Sequence, residues 1–362
     1  MSSFWLRRRR EARSPQMALL ASLVLAAAGL LASAHAQKAE IADLPPHQPV
    51  RIEAHPFHFA PAERSRRTFG RLEWRGGLRL SSPSSVFGGY SAIGLSPDGR
   101  ELIAISDAGS WLSARIERKD GKLAGLSDAR IGPIPQKDGR PLQKRWHRDA
   151  ESLARLDDGP GLDGRYFIGF EGYHRLDEYE FRDGAFHGPI RRGGLPANLR
   201  KMPSNQGLEG VTRLRGGPNA GGLVMFAERK LDSRGEHTGS LVAGGKAYPM
   251  TLARKAQYDV TALASLKDGS LLVLERSFVR RALKLDIRLR LIPADEIKPG
   301  ARLTGEVLFD ADQRYTIDNF EGMDVTETAD GETLITIISD DNFSFFQSTL
   351  LAQFALTKRP KR

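Results

Sequence analysis

One phrase occurs five times along the chain and leaves few folds open to it: a short apolar run, a turn built on Asp-Gly or Gly-Gly, and a second apolar run that closes on a carboxylate. The second runs are LIAISD (102–107), YFIGFE (166–171), LVMFAE (223–228), LLVLE (271–275) and LITIISD (334–340). Their turns are Asp98-Gly99, Asp163-Gly164, Gly221-Gly222, Asp268-Gly269 and Asp330-Gly331. Such dipeptides reach the positive backbone angles of tight hairpin turns at little cost, and the flanking runs are rich in β-branched and aromatic residues, so each phrase reads as a β-hairpin. Four of the first strands open on an acid: Glu151-Ser152-Leu153, Glu209-Gly210-Val211, Asp259-Val260-Thr261 and Glu321-Gly322-Met323. The first repeat has Tyr90-Ser91-Ala92 instead. The start of strand one and the end of strand two lie side by side in a hairpin. The pattern therefore places Glu151 beside Glu171, Glu209 beside Glu228, Asp259 beside Glu275, and Glu321 beside Asp340.

The strand starts recur every 50 to 60 residues or so, the size of a four-stranded propeller blade with its loops. The last repeat stops one strand short, after 348–355, while an isolated strand at 69–80 precedes the first repeat. Pairing the two would close the ring and remove its open edges. The expected fold is all-β: a β-propeller with five blades visible and six possible, closed by an N-terminal strand. Segment 279–292 alternates Leu283, Leu285, Ile287, Leu289 and Leu291 with charged residues, which predicts a strand. The polar segments 132–147 and 184–206, with their Gly and Pro, predict loops on the acidic end.

The formal charge of +10 would ordinarily point to nucleic acid, but the first 36 residues and the last five each carry +4, which leaves +2 for the body. Nucleic acid is thereby disfavoured as a partner. Residues 1–36 have the form of an export signal: Arg7 to Arg10, an apolar run 17–31, then Ala34-His35-Ala36. The general and twin-arginine routes both fit, and a retained anchor is the competing reading. The expected organisation is a signal over 1–36, an extended Pro-rich lead-in over 37–67, the propeller over 68–356 and a basic tail over 357–362. The mature protein would be periplasmic or secreted, monomeric and without a stable membrane anchor. The chain has no Cys, which rules out disulfides and thiolate metal sites.

Phe87-Gly88-Gly89-Tyr90-Ser91, Ala150-Glu151-Ser152-Leu153, Asn205-Gln206-Gly207-Leu208-Glu209-Gly210, 271–276, Asn319-Phe320-Glu321-Gly322-Met323 and Ser339-Asp340-Asp341-Asn342-Phe343 follow in order a pattern that resembles the phytase-like family, also described by its esterase-like activity. The resemblance spans about 68–356. It implies an exported propeller and hydrolysis of phosphate esters, although a family label alone does not establish chemistry.

Radial hairpins would bring Asp107, Glu151, Glu171, Glu209, Glu228, Asp259, Glu275, Glu321 and Asp340 to one mouth, where they cannot all stay ionised without compensation. Protonation, bases or divalent cations could each supply it. Oxygen ligands without Cys favour Ca²⁺ first, then Mg²⁺ or Mn²⁺. His147, Arg148, His174, Arg175, Arg229, Lys230 and Arg276 flank these acids and could hold an anionic phosphate-ester substrate. The same adjacency also describes a structural ion-pair network that fixes blade to blade. There is no G-x-S-x-G elbow, no H-E-x-x-H and no phosphate-binding G-x-x-x-x-G-K-[ST], so a hydrolase of this sequence would depend on metal. Two rivals remain: a non-catalytic propeller that binds a ligand or protein, and a metal-dependent lactonase or carboxylic esterase.

Overall fold

The structure, a computed structural model, describes residues 41–203, 206–255 and 257–357. The export signal, Asn205 and the basic tail from 358 lie outside the described residues. Five antiparallel sheets are present, and each begins with one of the hairpins read from sequence. Blade 1 comprises Tyr90–Leu95, Glu101–Ser106, Ser110–Lys119 and Lys122–Pro133. Blade 2 comprises Ala150–Arg155, Gly164–Phe170, Arg175–Arg182 and Ala185–Gly193. Blade 3 comprises Gly210–Arg213, Leu223–Leu231, His237–Ala243 and Lys246–Leu252, with Arg302–Leu303 added in parallel at its rim. Blade 4 comprises Asp259–Ser265, Leu271–Val279, Lys284–Ile292 and Glu306–Ala311. In blade 5, Asn319–Glu327, Thr333–Asp340 and Thr349–Leu356 are completed by Leu72–Ser81 from the beginning of the chain. The first strand of each blade packs against that of the next, and blade 5 against blade 1, so the fold is a closed five-bladed β-propeller.

Because each blade is sandwiched between two others, its strands are apolar on both faces, and the core divides into five inter-blade layers. Leu78, Leu102, Ile338 and Leu351 join blades 5 and 1, and Ile103, Trp111, Tyr166 and Phe186 join blades 1 and 2. Phe167, Leu208 and Met225 join blades 2 and 3, and Val224, Leu241, Leu263 and Val273 join blades 3 and 4. Leu274, Leu289, Phe320 and Phe354 join blades 4 and 5. Phe59 inserts between the last two blades, stacked on Trp74 at 5.5 Å and Tyr315 at 5.1 Å. The segment read as a lead-in is thus partly woven into the ring. Glu53–Pro56 pairs with Leu72–Ser81, and Gln48–Pro49 pairs with the outer strand of blade 1.

Two loop expectations need correction. Segment 184–206 contains the outer strand of blade 2, Ala185–Gly193, and the loop is confined to the residues beyond Gly193. Pro189 hid that strand from the pattern, and an outermost strand tolerates a proline because one of its edges has no partner. Segment 132–147 carries a short helix, Arg145–Arg148, immediately before the inner strand of blade 2.

A β-bulge recurs where four of the inner strands begin. The pairing slips between Tyr90 and Ala92, at Glu151 opposite Gly169 and Phe170, between Val260 and Ala262, and between Phe320 and Gly322. The residues left over are Ser91, Glu151, Thr261 and Glu321, with Glu209 at the matching position just before the inner strand of blade 3. A bulge turns one side chain out of the alternation of its strand. Here the four bulges turn Ser91, Glu151, Thr261 and Glu321 toward the axis, and Glu209 completes a ring of five.

Candidate metal centre at the acidic mouth

Aligning the blades on these bulges sorts the sequence-derived acids into rings. The bulge ring is Ser91, Glu151, Glu209, Thr261 and Glu321. One step outward, the residues of the second strands that reach the mouth are Asp107, Glu171, Glu228, Arg276 and Asp340, facing Gly89, Asp149, Gly207, Asp259 and Asn319 respectively. The bulge ring lacks an acid in blades 1 and 4, and in the outer ring blade 4 alone carries a base, Arg276.

One of the expected ligands therefore lies elsewhere, and another is taken up by cations. Glu275 is one residue short of the mouth position, and the two-residue period of a strand turns it to the other face. There it forms a fully buried ion pair with Arg290, whose Nε donates to it at 2.8 Å. Asp259 corresponds to Asp149 and Asn319, two positions before the bulge, and is held between Arg229 and Arg254. The pairing of Asp259 with Glu275 anticipated from sequence is replaced by Asp259 opposite Arg276 and Val260 opposite Glu275.

The remaining acids do converge. Asp149, Glu151 and Glu171 each offer an oxygen, and these atoms all lie within 4.8 Å of one another. Asp149 was passed over in the sequence because it precedes the recurring phrase. It reaches the mouth from the residue after the short helix, and its carbonyl accepts the Glu171 N–H at 2.8 Å. Glu171 Oε1 accepts the Gly207 N–H at 2.7 Å, which ties blade 2 to blade 3.

Burial and mutual repulsion raise the carboxyl pKa values throughout. Asp107 is pushed up to about 7 by burial and by the charges of Asp149, Glu321 and Asp341. Glu171 also rises to about 7, chiefly by burial. Burial, then Glu209 and Glu321, hold Glu151 well above the carboxylate range, and burial with Glu228 and Glu321 does the same to Glu209. Asp340 is raised well above its usual value by burial and by Glu321 and Asp107.

The cations divide the mouth unequally. Arg276 donates to Glu321 at 2.7 Å, to Glu228 at 3.2 Å and to the side-chain Oδ1 of Asn319, so it neutralises the side formed by blades 3, 4 and 5. On the other side Arg148 is buried near Asp107 and Asp149, and its Nε has no hydrogen-bond partner among the described residues. The other candidate cations are committed. Arg175 donates to Asp177 at 2.7 Å and to the His147 carbonyl and lies over the Phe170 ring, while His174 Nε2 sits 3.2 Å from the Met202 carbonyl. Arg229 is bound to Asp259. His147 packs on Tyr173, and burial together with Arg175 and Lys144 lowers its pKa. Lys230 is partly buried beside the mouth, with its pKa lowered. Donor set and electrostatics both fit a hard divalent ion at Asp149, Glu151 and Glu171, where only oxygen ligands meet and no carboxylate of the three has an ion-pair partner within 4 Å among the described residues.

The opposite end of the channel opens into a cavity of about 350 Å³. Ile93, Leu153, Leu263 and Met323, two residues beyond the bulges, line it toward the mouth, and Arg155, Arg213, Arg215 and Lys267 line its outer part.

No curated protein sequence matches this chain. Among solved structures it is similar to an endo-arabinase from Bacteroides thetaiotaomicron, with 13% identity over 76% of this chain and 96% of that one and a TM-score of 0.46. That likeness is too slight to bear on either chemistry or fold, and the propeller stands on its own strand pairing. The family profile described as "Phytase-like: Esterase-like activity of phytase" matches residues 85–343, most of the chain and every hairpin that builds the mouth. The chain belongs to the phytase-like family.

Proposed function

We propose that the protein is an exported, divalent-cation-dependent hydrolase that cleaves phosphate esters at the acidic mouth. The convergence of Asp149, Glu151 and Glu171 carries this reading, because three carboxylates so close together and largely withdrawn from solvent favour either a bound proton or a bound cation. Calcium is the first candidate by ligand type. When bound, such an ion supplies Lewis-acid polarisation and lowers the pKa of a coordinated water. The chain's own groups supply the rest. Arg148, whose Nε has no hydrogen-bond partner among the described residues, presents an N–H group to an anionic oxygen entering the mouth. Burial and neighbouring carboxylates raise the pKa values of Glu209 and Asp340, the direction that suits a group donating a proton to a leaving oxygen.

A carboxylic ester or lactone is the second reading. It is favoured by one observation: Arg175, Arg229 and His174 are held by protein partners, which leaves few donors for a polyanion. Calorimetric titration with calcium, magnesium and manganese, followed by a screen of phosphate monoesters, carboxylic esters and lactones with and without the bound ion, tests both. Turnover of phosphate monoesters that tracks ion occupancy supports the first reading. Turnover of carboxylic esters or lactones alone replaces it with the second, and no ion binding removes both.

A further inference from the structure

Exposed apolar side chains are unevenly distributed on this protein. Among the described residues the large exposed ones number eight, and all but Ile190 lie on the mouth face. Trp146 stands on the short helix before blade 2, and Tyr173 on the turn just after Glu171. In blade 4 the second strand runs past the mouth to Phe278 and Val279, and the turn beyond it exposes Leu283. In blade 5 Phe345 and Phe346 are 97% and 94% exposed and touch only each other's rings, 5.8 Å apart, among the aromatic contacts. Fully solvated adjacent phenylalanines are costly to keep on a soluble surface and mark a place that meets something apolar.

Two further observations say what that is. First, the backbone is strained at one of the displayed side chains: Leu283 has φ +47°, a region where a glycine would sit without penalty. Second, two of these tips are basic and the third carries no charge of its own. Segment 143–147 carries Lys144 and Arg145 and no acid, segment 278–285 carries Arg280, Arg281 and Lys284, the last paired with Asp286, and 342–349 has no charged residue, its backbone being held by Asp318 and Asp341. Tips from three blades, separated around the ring, suit a flat partner better than a groove-bound one. Aromatic and leucine side chains flanked by Arg and Lys are the composition that partitions into the headgroup region of an anionic bilayer. We propose that the mouth face docks reversibly on anionic lipid, with Phe345 and Phe346 as the deepest apolar contacts and Lys144, Arg145, Arg280 and Arg281 paired with lipid phosphates.

The inference is independent of the chemistry at the mouth, because its readout is binding. The full chain is sedimented with vesicles of phosphatidylcholine alone and with vesicles containing an equal part of phosphatidylglycerol. Binding to the anionic vesicles is expected, with little to the neutral ones and a loss on raising the salt. F345S/F346S should weaken partitioning by about tenfold or more, and R280Q/R281Q by about tenfold at low salt. L283G serves as the folding control. It should weaken binding while leaving the melting temperature unchanged or higher, since glycine relieves the left-handed backbone. Failure of the wild-type chain to sediment with anionic vesicles overturns the proposal, as does equal sedimentation of wild type and F345S/F346S. Engagement of a soluble protein by this face without vesicle binding also overturns it.

Discussion

The two ends of the central channel use the same five strands and treat charge in opposite ways. At the far end each acid has its own cation or donor. Asp157 is 3.3 Å from Arg155, Asp158 is bound by Arg213, Glu327 is 3.4 Å from Lys267, and the Asp324 carboxylate accepts the Leu95 and Val325 N–H groups at 2.7 Å each. At the mouth, acids outnumber bases, and Asp149 on blade 2 has Arg145 and Arg148 nearby without an ion pair to either within 4 Å among the described residues. A network that merely fixed blade to blade would be paired at both ends. The imbalance at one end is therefore the feature that needs a function, and a cation from solution is the simplest compensation.

Deleting residues 72–81 would break both ends at once. The last blade would lose a strand paired along the whole of Thr349–Leu356, and calorimetry should show the cooperative transition abolished. Next in size, Arg276→Met leaves Glu228 and Glu321 buried without their cation and should cost about 3 kcal/mol. The same change at Arg213, whose partner Asp158 is largely exposed, should cost less than about 1 kcal/mol. Denaturant unfolding of the two variants measures the difference, and equal losses would remove the contrast between the ends. Third, Glu171→Gln should weaken calcium binding at least tenfold, about 1.4 kcal/mol of linked stability, whereas Asp157→Asn should leave the calcium-induced rise in Tm intact.

The smallest effect is on pH dependence. Asp107 and Glu171, with pKa values raised to about 7, bind protons more tightly folded than unfolded. Their contribution is fully present below about pH 4, the unfolded carboxylate range, and is lost as pH rises through 7. Without divalent cation, Tm should fall between about pH 5 and pH 8, and saturating calcium should flatten that fall. A cation-free Tm that rises across the same range would show the mouth to be paired after all.

Much of the fold was legible because its signals are local. An Asp-Gly turn between two β-branched runs specifies a hairpin wherever it occurs, and five at even spacing specify a ring. The sequence also indicated closure by the early strand, since one repeat lacked a strand and one strand lacked a repeat. The site was less legible because a bulge shifts the register by one, and in a strand one residue is the difference between axis and core. Blade 4 was therefore aligned on Asp259 and Glu275, when Val260 matches Phe320 and Thr261 matches Glu321. The clue was present in the apolar residue that precedes each bulge: Tyr90, Ala150, Leu208, Val260 and Phe320. Asp149 carried no pattern of its own, and only three dimensions set it beside Glu151 and Glu171.

The blade that unites 53–81 with 319–356 also has a consequence for how the molecule comes into being. The ring cannot close until Thr349–Leu356 has emerged, because that strand is the partner of Leu72–Ser81. Until then the nascent chain holds four blades and an unmatched ribbon at each side, edges open to pairing with other chains. Whatever receives this protein in the cell must keep those edges apart until the closing strand arrives.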